Sequence, residues 1–191
     1  MRASLVALLA ASLVALSACG GDDGGSAGGG GTDPNAWAKQ VCGAVGTWLE
    51  DVQTKSAAIG ESAGNAGSLK EAKTQFVAYF DELVERTDQM LGEIDEAGDP
   101  DVEDGEAIGD DFRQTIEPMK DALADARDQA KGLPTDDPQA FSQGAVKAGE
   151  SVQREGENIG KAFDELDKKY DTAELERAFE DEPACGELSS A

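Results

Sequence analysis

The chain has 191 residues, enough for one domain with a hydrophobic core once a leader and a linker are set aside. Its 40 acidic and 16 basic residues give a formal net charge of −24, and it contains no histidine. So acidic a surface repels phosphate backbones and anionic lipid headgroups, which excludes binding of nucleic acid or of a membrane surface through the body. Without histidine, the commonest general base and most transition-metal sites are excluded too. We therefore expect no enzyme and no cofactor.

The first 19 residues have the pattern of a signal sequence that ends in a cysteine. Arg2 gives a positive start, and the run 5–16 is apolar apart from one serine. That run has the length of a signal-peptide core and is too short to span a bilayer as a helix. The motif Leu16-Ser17-Ala18-Cys19 that follows resembles the lipobox of bacterial lipoproteins. In that family the cysteine is joined to a diacylglycerol and the peptide is cut just before it.

The resemblance implies a signal peptide over 1–18 and a lipid on Cys19, with an ordinary secretory signal cut near Ala18 as the alternative. Two acyl chains hold a protein on a membrane firmly, so this lipid would be its only membrane contact. We expect the protein on the outer face of the cytoplasmic membrane. Residues 19–35 are Gly-rich and polar, which predicts a flexible linker between the lipid and the body at 36–191.

The remaining cysteines form a single pair. If Cys19 carries the lipid, only Cys42 and Cys185 are left, and in an exported protein such a pair is most simply a disulfide. Cys42 lies near the start of the body and Cys185 near its end. We expect this bridge to tie the C-terminal tail back onto the first helix.

Apolar residues in the body recur at the spacings of three and four that are typical of amphipathic helices. The first predicted helix begins at the Asp-Pro pair 33–34 and ends in the glycine-rich stretch 60–67. The second begins at the capping box 68–71 and ends at the Gly-Asp-Pro sequence 98–100. No segment alternates as a half-buried strand does.

A third predicted helix begins between Asp101 and Asp104 and contains Pro118, which should kink or break it. A long fourth helix follows the turn at 135–138, and Thr172 is placed to cap a short last helix. The expected architecture is all-α, with about four antiparallel helices in a bundle. We expect a monomer.

The acid-rich stretch 95–111 is the one candidate metal site. A calcium loop alternates oxygen ligands and places glycine at its sixth position. Counted from Asp99, with Asp101 as the next ligand, that position is Asp104, and the glycine comes one residue late. We therefore predict a solvated turn without a specific metal site, with these three aspartates as the candidates for a divalent cation.

Sparse motifs across the mature chain suggest one family. They are Trp37, Cys42 and Trp48 near the start, Pro100 with Asp104-Gly105 in the middle, and Pro183-Ala184-Cys185 with Leu188 at the end. In these the body resembles a group of uncharacterised small secreted lipoproteins of high-GC Gram-positive bacteria. The resemblance implies a cell-surface lipoprotein with one disulfide, and it brings no activity with it.

Two functions remain open. The favoured one is a non-catalytic module that binds an envelope protein or component through a helix face. The other is a carrier that holds a small apolar or cationic ligand between its helices, because the Gly- and Ala-rich fourth helix leaves space. A cavity of about 300 Å³ or more would favour the carrier, whereas a solid core with an exposed apolar patch would favour the module. The candidate residues for a ligand or partner are Trp37, Trp48, Phe80 and Ile159.

Overall fold

A computed structural model describes residues 30–170 and 173–188. The predicted signal peptide, Cys19, the linker up to residue 29 and Thr172 lie outside the described residues. The described residues contain no β-strand, so the all-α prediction is confirmed. None of their helices is both long and apolar enough to cross a lipid bilayer. The helices are α1 (Pro34–Gly64), α2 (Leu69–Ala97), α3 (Gly105–Ile116), α4 (Pro118–Lys131), α5 (Pro138–Lys169), α6 (Ala173–Asp181) and α7 (Pro183–Leu188).

The first two helices begin where the sequence predicts. The Asp33 carboxylate accepts hydrogen bonds from the backbone N–H groups of Asn35 and Ala36, at 3.0 and 3.1 Å, just before α1. At the start of α2, the Ser68 hydroxyl accepts one from the backbone N–H of Glu71 at 3.2 Å. Each cap satisfies donors that have no partner inside the helix.

Two chain breaks follow from proline. The predicted third helix is divided at Glu117 into α3 and α4, because Pro118 cannot donate to the preceding turn. Near the C-terminus we expected a tail after the short last helix. Instead, Pro183 ends one helix and begins another, α7, since its fixed φ suits a first helical position.

Backbone contacts with the loop between α2 and α3 begin at Thr32, inside the stretch 19–35 that the sequence predicts as a linker. Thr32 forms an isolated parallel bridge with Pro100, and its backbone N–H donates to the carbonyl of Asp99 at 2.6 Å. The backbone N–H of Asp101 donates back to the Thr32 carbonyl at 2.7 Å. A Cβ on Gly31 would lie 2.4 Å from the Asp99 carbonyl oxygen, so only glycine fits there. Composition did not reveal this contact because it is made by backbone atoms.

The helices pack as the antiparallel bundle that the sequence predicts, with one side incomplete. Helix α1 packs on α2, α2 on α4, and α4 on α5. Helix α3 lies against α5 and also touches α2 and α4, while α6 and α7 pack on α1 and on each other. Across the described residues, α1 and α5 make no extensive contact. The bundle is therefore open between its first and last long helices.

The core has two parts along the bundle axis. The part far from the Thr32–Pro100 bridge is a continuous cluster from α2, α4 and α5, in which Leu83, Leu123 and Phe141 are buried. The part near the bridge is divided into smaller clusters around Trp37, Cys42 and Ile94. This division marks the half of the bundle in which the helices leave space.

Candidate ligand-binding cavity

An apolar cavity of about 430 Å³ lies in the half of the bundle near the Thr32–Pro100 bridge. Every one of the seven described helices contributes at least one side chain to it. Its volume lies within the range of about 300–1,000 Å³ that is typical of ligand pockets. The lining residues are Val41, Cys42, Val45, Trp48, Met90, Phe112, Ile116, Met119, Ile159, Phe163, Phe179 and Cys185.

Glycines on α5 help to keep the space open. At about 100° per residue, Gly149, Gly156 and Gly160 fall within about 40° of one another and beside Phe163. A Cβ on Gly156 would lie 3.8 Å from the Cε atom of Met119, and one on Gly149 or Gly160 would have no neighbour within 4 Å. Because these positions carry no side chain, nothing from this side of α5 fills the gap toward α1.

The cavity has a buried floor and a more exposed opening. Met90, Ile116 and Met119 form the floor, at 4%, 6% and 8% exposure. Trp48 on α1 and Phe163 on α5 are only partly buried. Since α1 and α5 also lack extensive contact, the opening lies between these two helices.

The wall offers no free polar side-chain group. The only lining side chain with a strong hydrogen-bond donor is Trp48, and its Nε1–H donates to Thr87 Oγ1 at 2.9 Å. That hydroxyl in turn donates to the Leu83 carbonyl at 2.8 Å, which explains a fully buried threonine in the apolar stripe of α2. The cavity therefore suits a group that forms no hydrogen bonds.

A disulfide joins Cys42 and Cys185, the pairing that the sequence predicts, with the Cα atoms 5.1 Å apart. Both half-cystines are buried and both line the cavity. The bond fastens α7 to α1, and Phe179 of the neighbouring α6 closes the same side. The disulfide is thus a structural part of the cavity wall.

The predicted ligand or partner residues do not form one site. Trp48 and Ile159 line the cavity, as the carrier hypothesis requires. Phe80 lies in the distal core at 6% exposure, and Trp37 is buried at 1% against α3 and α6, where its Nε1–H donates to the Gly98 carbonyl at 2.9 Å. Helical spacing predicted that all four side chains face inward, but it could not predict where each lies along the bundle axis. It therefore missed the contribution of Phe163, which carries the same apolar signal.

Exposed apolar surface is scarce. Within 30–170 and 173–186, Val146 is the only large hydrophobic side chain that is exposed, at 57%. A single such residue is ordinary for a folded protein. Outside the cavity opening, the described residues therefore show no cluster of exposed large apolar side chains, which the interaction-module hypothesis requires.

The acid-rich stretch makes local ion pairs. Asp99 Oδ1 accepts a hydrogen bond from Arg113 Nη2 at 2.8 Å, so this candidate ligand is already engaged by a cation. At its other end, Asp111 accepts from Lys169 Nζ at 2.5 Å and from the Tyr170 hydroxyl at 2.7 Å. These hydrogen bonds, that of Lys169 first, hold the pKa of the Asp111 carboxyl below its usual value. They fix the end of α5 on α3.

Asp101 and Asp104 are not joined with Asp99 into a metal site. In the part of the chain that the structure describes, no three His, Cys, Asp or Glu side chains are arranged to hold a metal ion. Asp104 instead precedes α3, with a φ of 60°.

Divalent cations are expected to act on the body by general screening. Calcium and magnesium, at equal concentration, should each raise the melting temperature modestly and by nearly the same amount, because both reduce repulsion within a chain of net charge −24. Thermal unfolding followed by circular dichroism measures this. A saturable, calcium-selective rise at micromolar concentration that is lost in the double variant Asp101→Asn, Asp104→Asn would contradict it.

The fold and the cavity define a class of protein: an all-α bundle, closed by a disulfide, with an apolar cavity between its helices. Comparison with known proteins found no family model that matches the chain, and no match among curated proteins or solved structures. Its function must therefore be inferred from the geometry of the cavity.

Proposed function

We propose that this protein is a non-catalytic carrier that holds a small apolar ligand in the cavity between α1 and α5, and that a lipid on Cys19 tethers it to the outer face of the cytoplasmic membrane. The observation that carries the proposal is the cavity of about 430 Å³ with only apolar side chains in its wall. An engineered apolar cavity of about 150 Å³ is already enough to bind benzene or xenon. A ligand of that kind would supply the packing contacts that the residues of the cavity wall lack.

The same geometry favours the carrier over the interaction module. A module that binds through a helix face needs an exposed apolar area, and the described surface offers only Val146. The carrier needs interior space, and Trp48 and Ile159 border such space. The module also gives no reason why seven helices should converge on an unfilled volume.

The proposed tether places the cavity near the membrane. The body begins at the Thr32–Pro100 bridge, in the same half of the bundle as the cavity. A flexible linker over 20–29 would have an end-to-end distance of about 15–20 Å. A ligand that leaves the membrane would thus reach the cavity without long diffusion through water, where apolar molecules are poorly soluble.

The tether is tested by the variant Cys19→Ala. We expect it to be released into the medium when expressed in a Gram-positive host, because the diacylglycerol would have no thiol to join. Intact mass of the unchanged protein from the membrane fraction should show a chain that starts at lipid-modified Cys19. Full membrane retention of the variant would refute the tether and leave the cavity proposal untouched.

Ligand binding is tested with 1-aminoanthracene, a neutral probe whose fluorescence rises in an apolar environment. The full chain carrying Cys19→Ser, made in an oxidising compartment, should bind it saturably at one site. Adding Gly156→Leu should weaken binding at least tenfold, because the new side chain begins 3.8 Å from Met119 in the floor. Gly149→Leu, the same change about 10 Å along α5, is the matched control and should leave binding unchanged. Absence of saturable binding, or equal binding by both variants, would refute the carrier.

A further inference from the structure

We propose that the cavity takes the hydrocarbon part of an amphiphile whose polar end carries no negative charge, with that end at the opening between α1 and α5, and that it discriminates against anionic amphiphiles such as carboxylates. This inference rests on the proposed carrier function and names the ligand class of the same site. It follows from the chemistry of the wall, the position of the opening and the charges beside it.

The wall excludes a polar group from the interior. All lining side chains are apolar, and the indole N–H of Trp48 is already bonded to Thr87. Among the described residues, the one buried side-chain polar atom without a partner is Oε1 of Gln75, which does not line the cavity. A charged or hydrogen-bonding group inside would therefore remain unpaired, which is costly in an apolar environment.

The opening gives the polar end of the ligand a place in water. Its two sides are α1 and α5, which make no extensive contact. At about 100° per residue, Gly156 and Gly160 lie within about 60° of the lining residue Phe163 on α5. With no side chain at either glycine, a headgroup can lie at the opening while its chain reaches the buried floor at Met90 and Met119.

The α5 side of the opening bears no cation. At about 100° per residue, Lys147, Arg154 and Lys161 lie about 160–180° around α5 from Phe163 and so on the opposite face. Lys168 and Lys169 lie about 140° and 120° from Phe163, and Lys169 is paired with Asp111. Asp167, by contrast, lies within about 40° of Phe163. An anionic headgroup at the opening would meet a carboxylate and no base on this helix.

The α1 side of the opening also offers no nearby cation that could pair with an anionic headgroup. Lys55 Nζ is bound to Glu82 of α2 at 2.5 Å. Val45 is the first partly buried lining residue of α1, and Lys39 lies about 120° around the helix from it. The whole chain adds the field of a net charge of −24. An uncharged headgroup meets none of this repulsion.

The test displaces bound 1-aminoanthracene with 1-octanol or octanoate, which share one chain length and differ in charge, at pH 7 and low salt. We expect octanol to displace the probe at a concentration at least tenfold lower than octanoate does, and added salt to narrow the difference. The protein is the full chain carrying Cys19→Ser, with its disulfide intact.

A variant designed to gain affinity for octanoate tests where the headgroup lies. Val45→Lys places an ammonium at the edge of the opening and should improve octanoate binding at least tenfold over the parent chain. Thr47→Lys adds the same charge to the same helix at an exposed position that does not line the cavity, and it should change octanoate binding little. For each variant the readout is the affinity for octanoate relative to that for octanol, so a general loss of binding in Val45→Lys, at a lining residue, is separated from the effect of the charge. Octanol binding by Thr47→Lys reports that an added lysine on α1 leaves the cavity intact, and the parent comparison of octanol with octanoate stands without either variant.

The outcomes separate the two proposals. If the probe binds and octanoate displaces it as well as octanol does at low salt, the ligand class is wrong and the carrier stands. If neither the probe nor octanol binds, the carrier itself is wrong. Equal octanoate binding by Val45→Lys and Thr47→Lys would also overturn the inferred position of the headgroup.

Discussion

Replacing both half-cystines, in Cys42→Ala with Cys185→Ala, is expected to lower the free energy of unfolding by about 4–5 kcal/mol. The two residues are separated by 143 positions, so the bond closes almost the whole body into one loop and restricts the unfolded chain strongly. Alanine is the appropriate replacement because both sites are buried, and a serine hydroxyl there would need a partner.

Urea denaturation of the variant and of the parent chain measures this change. The parent chain treated with a reductant should show the same lowered stability, which separates loss of the bond from an effect of the substitutions. The variant should also lose affinity for 1-aminoanthracene, since α7 would no longer be fastened to α1 at the cavity wall. If the double variant, or the parent chain treated with reductant, lost less than about 1 kcal/mol relative to the untreated parent chain, the structural role of the bond would be contradicted.

Trp37→Ala is expected to lower the free energy of unfolding by about 3–5 kcal/mol, the usual range for a buried aromatic residue. Trp37 is 1% exposed and makes edge-to-face contacts with Phe112 and Phe179, with ring centroids 5.3 and 5.8 Å apart. Its removal would separate α1 from α3 and α6 and leave the Gly98 carbonyl without the indole N–H. Denaturant unfolding measures the cost.

Two companion variants define the source of that cost. Trp37→Phe keeps an aromatic ring and should cost clearly less than the alanine variant, while Val146→Ala, at an exposed position, should change stability by about 0.5 kcal/mol or less. If Trp37→Ala were as mild as Val146→Ala, the packing of α1 against α3 and α6 described above would be incorrect.

Local signals in the sequence were sufficient to predict where the helices begin and break. The caps at Asp33 and Ser68 and the break at Pro118 depend on backbone chemistry within a few residues, and the structure has all three. The cysteine pair needed only a count and an oxidising compartment. Both kinds of inference use no information about the third dimension.

The cavity could not be predicted in the same way. An apolar stripe shows that Phe80 and Trp48 face inward, but not that one meets a filled core and the other an open volume. That difference depends on α5 packing extensively against α4 but not against α1, which is a tertiary property. The glycines of α5 suggested space, and only the assembled helices show where it lies.

The sequence favoured an interaction module, whereas we now propose a carrier, because interior space is a tertiary property that the sequence does not show. The preference for a module rested on missing catalytic motifs, and such an absence does not distinguish a binding face from a binding cavity. The structure supplies the distinguishing features, which are interior volume and a described surface with only Val146 exposed. Met90 and Met119, which no motif singles out, form the cavity floor.

These two methionines also permit the most direct measurement of ligand position. The chain has three methionines, and Met90 and Met119 both line the cavity. With ¹³C-labelled methionine methyl groups in the Cys19→Ser chain, a titration with 1-octanol should shift both methyl resonances saturably, and nuclear Overhauser effects should connect them to the octanol chain protons. If octanol leaves both resonances unshifted, or if only water protons show contacts to these methyl groups, the cavity does not bind an apolar ligand and the carrier account is wrong.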